Sequence, residues 1–188
     1  MEIRIARTED AAEIREINGY YIKNTAISFG WDVPTVKEYE EKIKETLINF
    51  PYLVAVIDGK VVGYAYACPF KEHQRAMEWI IETSIYINKD YHKKGIGKAL
   101  YDALEKILKK MNIITMASCI TYTDKEDKYV NNNSCHFHQA LGFKEVARFE
   151  KVGYKFNSWY SVVWMTKDIN EHSLNTPEVI PFSKINSL

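Results

Sequence analysis

Residues 82–111 constrain the fold of this chain more than any other segment. They combine an isoleucine-rich run, a basic turn with two glycines, and a helix whose apolar residues recur on one face. This order is typical of a strand that enters a helix through a tight turn, which leaves backbone N–H groups pointing outward at the helix N-terminus. Those groups and the helix dipole attract anions, and Lys93, Lys94 and Lys98 add positive charge. The segment therefore predicts a site for a phosphate-bearing ligand.

The glycines of this turn, Gly95 and Gly97, fit neither of two common nucleotide-binding motifs. A P-loop requires Ser or Thr after the lysine, but Lys98 is followed by Ala99. A dinucleotide-binding fingerprint requires a third glycine where this chain has Leu100. A turn whose glycines only relieve packing is the alternative to an anion site, and the flanking strand and helix favour the anion site.

Composition limits the remaining function classes. The chain has 188 residues and a formal net charge of zero, which indicates one domain and argues against general nucleic-acid binding. Its three cysteines lack metal-ligand spacing, and Cys68 and Cys119 lie in apolar runs where buried thiols are expected. No apolar run is long enough to cross a bilayer, so we predict no membrane partner and a reducing, cytoplasmic setting.

The order of predicted elements indicates a mixed α/β sheet. A first strand and two helices precede a hairpin whose turn is Asp58-Gly59, and the second helix begins with a capping box from Thr35 to Glu38. A strand, the helix after Gly95, another strand, a short helix and two final strands follow. Strands joined by a crossing helix pair in parallel and hairpins pair antiparallel, so we expect helices on both faces of one sheet.

Four motifs together give this chain a family resemblance. They are the Glu-bearing strand at residues 79–87, the turn at residues 92–97, the Asn-x-x-Ser and His-x-x-Leu-Gly-Phe pair at residues 131–143, and the closing strands at residues 153–165. In these motifs the chain resembles the GNAT superfamily of acetyl-CoA-dependent N-acetyltransferases, in its phosphinothricin N-acetyltransferase branch. The resemblance implies a single-domain, mostly antiparallel sheet with a V-shaped splay between central strands. It covers a domain at residues 1–169, followed by a C-terminal tail at residues 170–188.

The resemblance also implies where acetyl-CoA would bind. The backbone of the turn would hold the pyrophosphate, the strand after the glutamate would run beside the pantetheine arm, and two polar side chains would flank the far side. In this chain the corresponding residues are Lys93, Lys94, Gly95, Ile96, Gly97 and Lys98 for the turn, Ile85, Tyr86 and Ile87 for the strand, and Asn131 and Ser134 for the far side.

Two residues are predicted to be catalytic. Glu82 lies in a strand of otherwise apolar or small residues, where a raised pKa would suit a base that removes the amine's proton. A salt-bridged structural glutamate is the alternative. His138 stands where many superfamily relatives carry a tyrosine that acts as an acid. It could therefore protonate the leaving thiolate or hold the cofactor, and the alternative is a histidine that only packs against its neighbours. His136 lies two residues before His138, and helical positions two apart point in different directions, so we predict no metal.

The acceptor is predicted to be a small amine, most simply an amino-acid-like compound. Phe29, Trp79 and Tyr122 are the expected pocket walls. The branch often has Arg-x-Ala-Tyr before the Glu strand, whereas this chain has Gln74, Ala76 and Met77 there. Acetylation of a peptide or protein N-terminus, and a non-catalytic CoA-binding module, are the alternatives. Apolar residues at positions 179–182 of the tail could form a homodimer contact.

Overall fold

A mixed sheet organises the structure, a computed structural model that describes residues 1–185. In that part of the chain the strand order is β1-β2-β3-β4-β5-β7-β6. The strands are β1 (Glu2–Ile5), β2 (Tyr52–Ile57), β3 (Lys60–Pro69), β4 (Ile80–Ile87), β5 (Thr115–Tyr122), β6 (Lys144–Lys155) and β7 (Ser158–Asp168). The α-helices are α1 (Ala11–Asn24), α2 (Val36–Asn49), α3 (Ile96–Lys110) and α4 (Asn133–Ala140).

An opening lies in the middle of this sheet, where β4 and β5 separate. These two strands are parallel, whereas the other neighbouring pairs are antiparallel. Their pairing covers only Ile80 to Glu82 on β4 and Thr115 to Ala117 on β5. Beyond Glu82 the strands diverge, although both continue for several residues. The predicted fold class, including the splay between central strands, is therefore confirmed.

Side chains alternate between the two faces of β4, because successive strand residues point to opposite sides. Ile81 and Ile85 belong to the apolar core beneath α3, so we call this side the α3 face. Tyr86 packs with residues of α1 and α2, and this side is the α1 face. Glu82 has the same parity as Tyr86 and therefore lies on the α1 face, near the point where the opening begins.

Local signals in the sequence match the elements that they predicted. Thr35 caps α2, since its Oγ1 accepts a hydrogen bond from the Glu38 N–H at 3.2 Å, and the Glu38 carboxylate accepts from the Thr35 N–H at 2.6 Å. Asp58 and Gly59 join β2 to β3 with φ values of 50° and 77°. Such positive φ values at both turn residues suit the twist of a tight hairpin.

The C-terminal tail is attached to the domain through residues 177–182. The Trp79 indole N–H donates to the Pro177 carbonyl at 2.8 Å, and the Ile180 N–H donates to the Met111 carbonyl at 3.0 Å. Val179 and Phe182 pack against the core under α3, so within one chain these apolar residues already have partners. Residues 186–188 of the predicted tail lie outside the described residues. Among residues 1–185, no helix combines the length and apolar character needed to cross a bilayer.

Candidate active site

The opening between β4 and β5 forms a cleft that brings several predicted site residues together. Its walls come from residues 83–86 of β4, residues 118–121 of β5, the loop before α4, and the inner sides of α3 and α4. Five of the predicted residues line it: Ile85, Tyr86, Asn131, Ser134 and His138. Ile27, Tyr101, Ser118, Cys119 and Thr121 also line it, and the sequence reasoning did not single them out as site residues.

The predicted anion turn leads directly into α3 at one end of β4. Gly95 has φ 77°, and a Cβ at this position would meet nothing within 4 Å. Ala99 donates the first helical hydrogen bond, to the Gly95 carbonyl at 3.1 Å, and no side chain caps the helix. The N–H groups of the preceding helical residues are therefore left without a helical acceptor, as an anion site requires. The side chain of Ile96 is buried in the core, so this residue offers only its backbone.

The three lysines of the turn differ in their contacts. Lys94 donates to the Asp90 carbonyl at 3.1 Å, and Lys98 forms an ion pair with Asp102 at 2.6 Å. Lys93 is exposed and adopts φ 59°. All three side chains are at the surface, where they place positive charge around the outward N–H groups.

Gly97 has a different role from Gly95. A Cβ on Gly97 would come within 3.1 Å of the Phe137 ring on α4, and within 3.6 Å of Ile85. Close packing of α3 against α4 therefore requires this glycine. This is the packing role that the sequence left open as the alternative to anion binding. Of the two glycines in the turn, Gly95 is the one with the left-handed conformation that favours glycine.

His92 and Ile87 fix the turn to β4 and α1. The Tyr21 hydroxyl donates to the Ile87 carbonyl at 2.6 Å and lies 2.7 Å from His92 Nε2. His92 Nε2 is also 3.2 Å from the Ile87 carbonyl. Ile87 is not among the cleft-lining residues, and its contribution is this carbonyl.

Glu82 is half-buried on the α1 face, and burial raises the pKa of its carboxyl group. The Lys42 ammonium acts in the opposite direction on this pKa and is the smaller effect. Among the described residues, no side chain donates a hydrogen bond or forms a salt bridge to Glu82, so the structure does not show the salt-bridged alternative. A carboxylate with free lone pairs and a raised pKa has the properties of a general base.

Two cysteines lie beside Glu82 on the α1 face. Cys68 pairs directly with Glu82 across β3 and β4, and Cys119 lies two residues beyond Ala117, the β5 partner of Glu82. The expectation that Cys119 is buried is wrong, because β5 has already diverged from β4 at that point and leaves its side chain exposed. Burial raises the pKa of the half-buried Cys68 thiol to about 11. Cys119 is open to solvent but lines the cleft, and partial desolvation by the surrounding atoms also raises its pKa to about 11. The Glu82 charge raises both pKa values by a smaller amount.

His138 belongs to a buried hydrogen-bond network on the α3 face. Burial lowers the pKa of His138 to about 4, so the imidazole is neutral at pH 7. Its Nδ1–H donates to the Ser134 carbonyl at 2.7 Å, because a carbonyl can only accept, and Nε2 accepts from the Tyr101 hydroxyl at 3.0 Å. Tyr101 also lies 3.2 Å from Thr83 Oγ1, which is 2.8 Å from Ser118 Oγ. The Thr83–Ser118 contact joins β4 to β5 just where their backbone pairing ends.

The structure does not bring the three predicted acceptor-pocket walls together around Glu82. Phe29 packs against Gly153 of β6 and belongs to a small cluster with Tyr129 and Phe156. Trp79 binds the tail, as described above. Tyr122 has the parity of Ser118, which places it on the α3 face, where the Arg148 guanidinium lies 3.9 Å from its ring centre.

Other side chains share the α1 face with Glu82. Tyr66 precedes Cys68 by two residues on β3, and Trp164 of β7 pairs with Cys119. Phe70 contacts Trp164 edge-on, with ring centres 5.2 Å apart, and Lys42 reaches in from α2. Tyr66 could have been identified from the sequence, because side chains alternate along the strands next to Glu82. Trp164 could not, because its position depends on the register of β5 with β7, which no motif shows. Within the described chain, no group of three or more metal-ligating side chains forms.

Comparison with known proteins gives a consistent result. The model of the GNAT acetyltransferase domain family matches residues 3–164. A phosphinothricin N-acetyltransferase of Streptomyces viridochromogenes is 28% identical over 168 residues, which cover 89% of this chain and 87% of that protein. The L-amino acid N-acyltransferase MnaT of Escherichia coli is 30% identical over 177 residues, which cover 92% and 96%.

A solved structure agrees with these sequence relatives. The crystal structure of a phosphinothricin acetyltransferase from Sinorhizobium meliloti, in complex with acetyl-CoA, superposes with a TM-score of 0.85. It is 27% identical in sequence, and the match covers 97% of this chain and 96% of that one.

Proposed function

The chain belongs to the GNAT acetyltransferase family, and we propose that it transfers an acetyl group from acetyl-CoA to the amine of a small amino-acid-like acceptor. Acetyl-CoA is the acetyl donor of this family, and the Sinorhizobium meliloti relative was solved with it bound. The proposal extends to a mechanism in which the amine attacks directly and Glu82 removes its proton. The observation that carries it is the position of Glu82, the last residue of β4 to pair with β5 before the strands separate. Among residues 1–185, no side chain forms a hydrogen bond or a salt bridge with its carboxylate.

The residues of the cleft fit acetyl-CoA as a co-substrate. The N–H groups at the start of α3 suit a diphosphate, and the lysines around them match its charge. Next to this turn, Ile85 and Tyr86 line the cleft on an edge of β4 that has lost its β5 partner. Asn131 and Ser134 would contact the other side of the same ligand. When bound, acetyl-CoA supplies the acetyl group as a thioester, which is activated towards amines.

Glu82 would prepare the amine for attack. An amine is protonated near neutral pH, and only its free lone pair can form a bond to the acetyl carbon. Glu82 accepts one proton, the amine nitrogen bonds to the acetyl carbon, and the bond from that carbon to sulfur breaks with the electron pair leaving on sulfur. The nitrogen loses a second proton as the amide forms, and the thiolate takes up this proton to give free CoA. The raised pKa of Glu82 matches this task, because a base works best when its pKa lies near the working pH.

The neighbouring thiols support direct attack over an acetyl-cysteine intermediate. Cys68 and Cys119 are the cysteines near Glu82, but a thiol must ionise before it can act as a nucleophile. With pKa values of about 11, both remain protonated at neutral pH. Desolvation is the main cause for both thiols, and the negative charge of Glu82 adds to it because it opposes a second negative charge nearby.

For His138, the geometry favours a positioning role over the predicted role as an acid. The neutral ring has one proton, which it donates to the Ser134 carbonyl on the side away from Tyr101. The ring instead orients the Tyr101 hydroxyl, which together with Thr83 and Ser118 holds the end of the cleft at a fixed width. We propose that His138 acts through these contacts.

A thiol-release screen tests the proposed reaction. The protein is mixed with acetyl-CoA and a panel of L-amino acids, methionine sulfone, phosphinothricin, polyamines and short peptides, and free CoA thiol is measured. We expect release with one or more free amino acids or their analogues, at higher kcat/KM than with any peptide. Release with peptides alone would show an N-terminal acetyltransferase. Calorimetric binding of CoA without release on the whole panel would show a non-catalytic binding module.

A further inference from the structure

The α1 face around Glu82 has few positive charges that could meet the acid group of an amino-acid-like acceptor. Arg75, in the connection before β4, lies 4.0 Å from both Glu78 and the tail residue Glu178. It is therefore directed towards the tail. Lys42 is the cation whose charge acts on Glu82.

Lys42 is held over the α1 face by an aromatic partner. Its ammonium donates to the Tyr66 hydroxyl at 2.8 Å and lies 4.2 Å from the centre of the Tyr66 ring. Tyr66 stacks on Tyr52, with ring centres 5.0 Å apart, and Tyr52 is fully buried. A flexible surface lysine is in this way given a fixed direction, which reduces the conformational entropy that it would lose on binding a ligand.

The register of β3 and β4 places this ammonium near Glu82 without joining the two charges. Cys68 lies opposite Glu82, and Tyr66 lies opposite Ser84, so the Tyr66 ring is diagonally adjacent to Glu82 on the same face. Both charges act on the pKa of the Cys68 thiol, which Glu82 raises and Lys42 lowers. No salt bridge forms between Lys42 and Glu82 in the described chain, so each charge is available to a ligand.

We propose that Lys42, oriented by Tyr66, binds the acid group of the acceptor while Glu82 receives the acceptor's amine. This inference rests on the proposed function, and it names the acceptor class as an amino acid with a free carboxylate or a similar anionic group. An ammonium and a carboxylate separated by a short carbon skeleton match the opposite charges of Glu82 and Lys42. An amine without the acid group would leave the Lys42 charge unpaired in the complex.

Matched acceptor pairs test this assignment. Each pair is an L-amino acid and the amine that lacks only its carboxylate: methionine with 3-methylthiopropylamine, leucine with isopentylamine, and phenylalanine with phenethylamine. A charge-assisted hydrogen bond to the carboxylate predicts that wild-type kcat/KM favours the amino acid roughly 10- to 100-fold. In Lys42→Met we expect this preference to disappear through a higher KM for the amino acid, with the KM of the amine unchanged.

Two further variants control for other effects of the change. Lys42→Arg retains a positive charge and should retain part of the preference, whereas Lys44→Met removes an exposed lysine from the same helix and should keep all of it. A preference that survives Lys42→Met, or a wild type that acetylates both members of each pair equally, overturns the Lys42 assignment and leaves acetyl transfer standing. Absence of thiol release with every pair and every peptide contradicts the proposed function itself, and this inference with it.

Discussion

The α3 face and the α1 face of the central opening are built in different ways, although β4 supplies residues to both. On the α3 face, two short stretches of sequence, residues 93–98 and 131–138, provide the backbone turn and the polar residues Asn131, Ser134 and His138. On the α1 face, the side chains around Glu82 come from α2, β3, β5 and β7, which are far apart in the sequence.

This difference shows why one side of the site can be read from short motifs and the other cannot. A backbone anion site needs only a local conformation, which one glycine and a helix start can set. A pocket made of long side chains depends on strand register and helix packing, which are fixed by contacts across the whole domain.

The largest expected effect is on the α1 face, at Glu82. We expect Glu82→Gln to lower kcat/KM about 10²- to 10⁴-fold at neutral pH, because the amine then has no base to take its proton. The deficit should shrink as the pH rises, since free amine becomes abundant without help. In the wild type, the raised pKa of Glu82 shifts the rise in activity to higher pH than an ordinary carboxylate would give. Rates measured from pH 6 to 10 check this.

Glu78→Gln is the matched control for that variant, because it makes the same chemical change just before β4. Its profile should follow the wild type. If Glu82→Gln loses the same factor at every pH, the carboxylate has a structural role and the base assignment is wrong.

The next effect concerns the α3 face and the stability of the fold. The folded state holds the pKa of His138 at about 4, whereas the ordinary histidine pKa is 6.5. Between these values the unfolded chain binds a proton that the folded chain excludes, so stability falls as the pH falls through this window. The loss should reach about 3 kcal/mol near pH 4, at 1.36 kcal/mol for each pKa unit.

Denaturant unfolding at pH 7, 6, 5 and 4 measures this loss. In His138→Gln the decrease in the free energy of unfolding between pH 7 and pH 4 should be smaller by about 3 kcal/mol, whatever the stability of the variant at pH 7. His136→Gln, on the exposed side of the same helix, is the control and should follow the wild type. Equal slopes for wild type and His138→Gln would show that the ring is not kept neutral.

The sequence predicted the fold and the α3 face of the site more completely than the α1 face. The element order, the hairpin turn, the α2 capping box and the splay are confirmed, because each depends on local chemistry or on a motif that the family retains. The packing role of Gly97 was only the alternative, since it depends on Phe137, and the prediction that Cys119 is buried was wrong, since its exposure depends on where β5 leaves β4. Lys42 could not be placed from sequence because its partner Tyr66 is 24 residues away on another element.

A third test concerns how the α1 face is held in place. Lys155 is 2% exposed, and its ammonium donates to the carbonyls of Ile22, Thr25 and Ser28 at 2.6, 3.0 and 2.6 Å. It thereby ties the end of α1 and the loop that carries Phe29 to β6. Lys155→Met would leave these buried carbonyls without a donor, so we expect the free energy of unfolding to fall by about 2 kcal/mol. Lys144→Met, at the exposed start of β6, should change it little.

The same pair of variants separates stability from catalysis. If the Lys155 contacts only stabilise the fold, kcat/KM at 20 °C is unchanged in Lys155→Met. We instead expect the KM for the acceptor to rise more than the KM for acetyl-CoA, because the loop contacts the α1 face at Thr121, although its Ile27 also lines the cleft. A rise in the acetyl-CoA KM alone would contradict the separation of the two faces.

The smallest expected effect is on the KM for acetyl-CoA, and it is tested with two glycines that have the same conformation in different places. Gly95 and Gly59 both have φ 77°, and a Cβ at either position would meet nothing within 4 Å. Alanine at either site therefore carries the same cost of a left-handed conformation, about 1 kcal/mol of stability. Only Gly95 adjoins the N–H groups that would bind the diphosphate, so only Gly95→Ala should raise the KM for acetyl-CoA, by roughly tenfold. Melting curves and acetyl-CoA titrations of both variants decide this, and equal KM values would mean that the turn does not hold the diphosphate through its backbone.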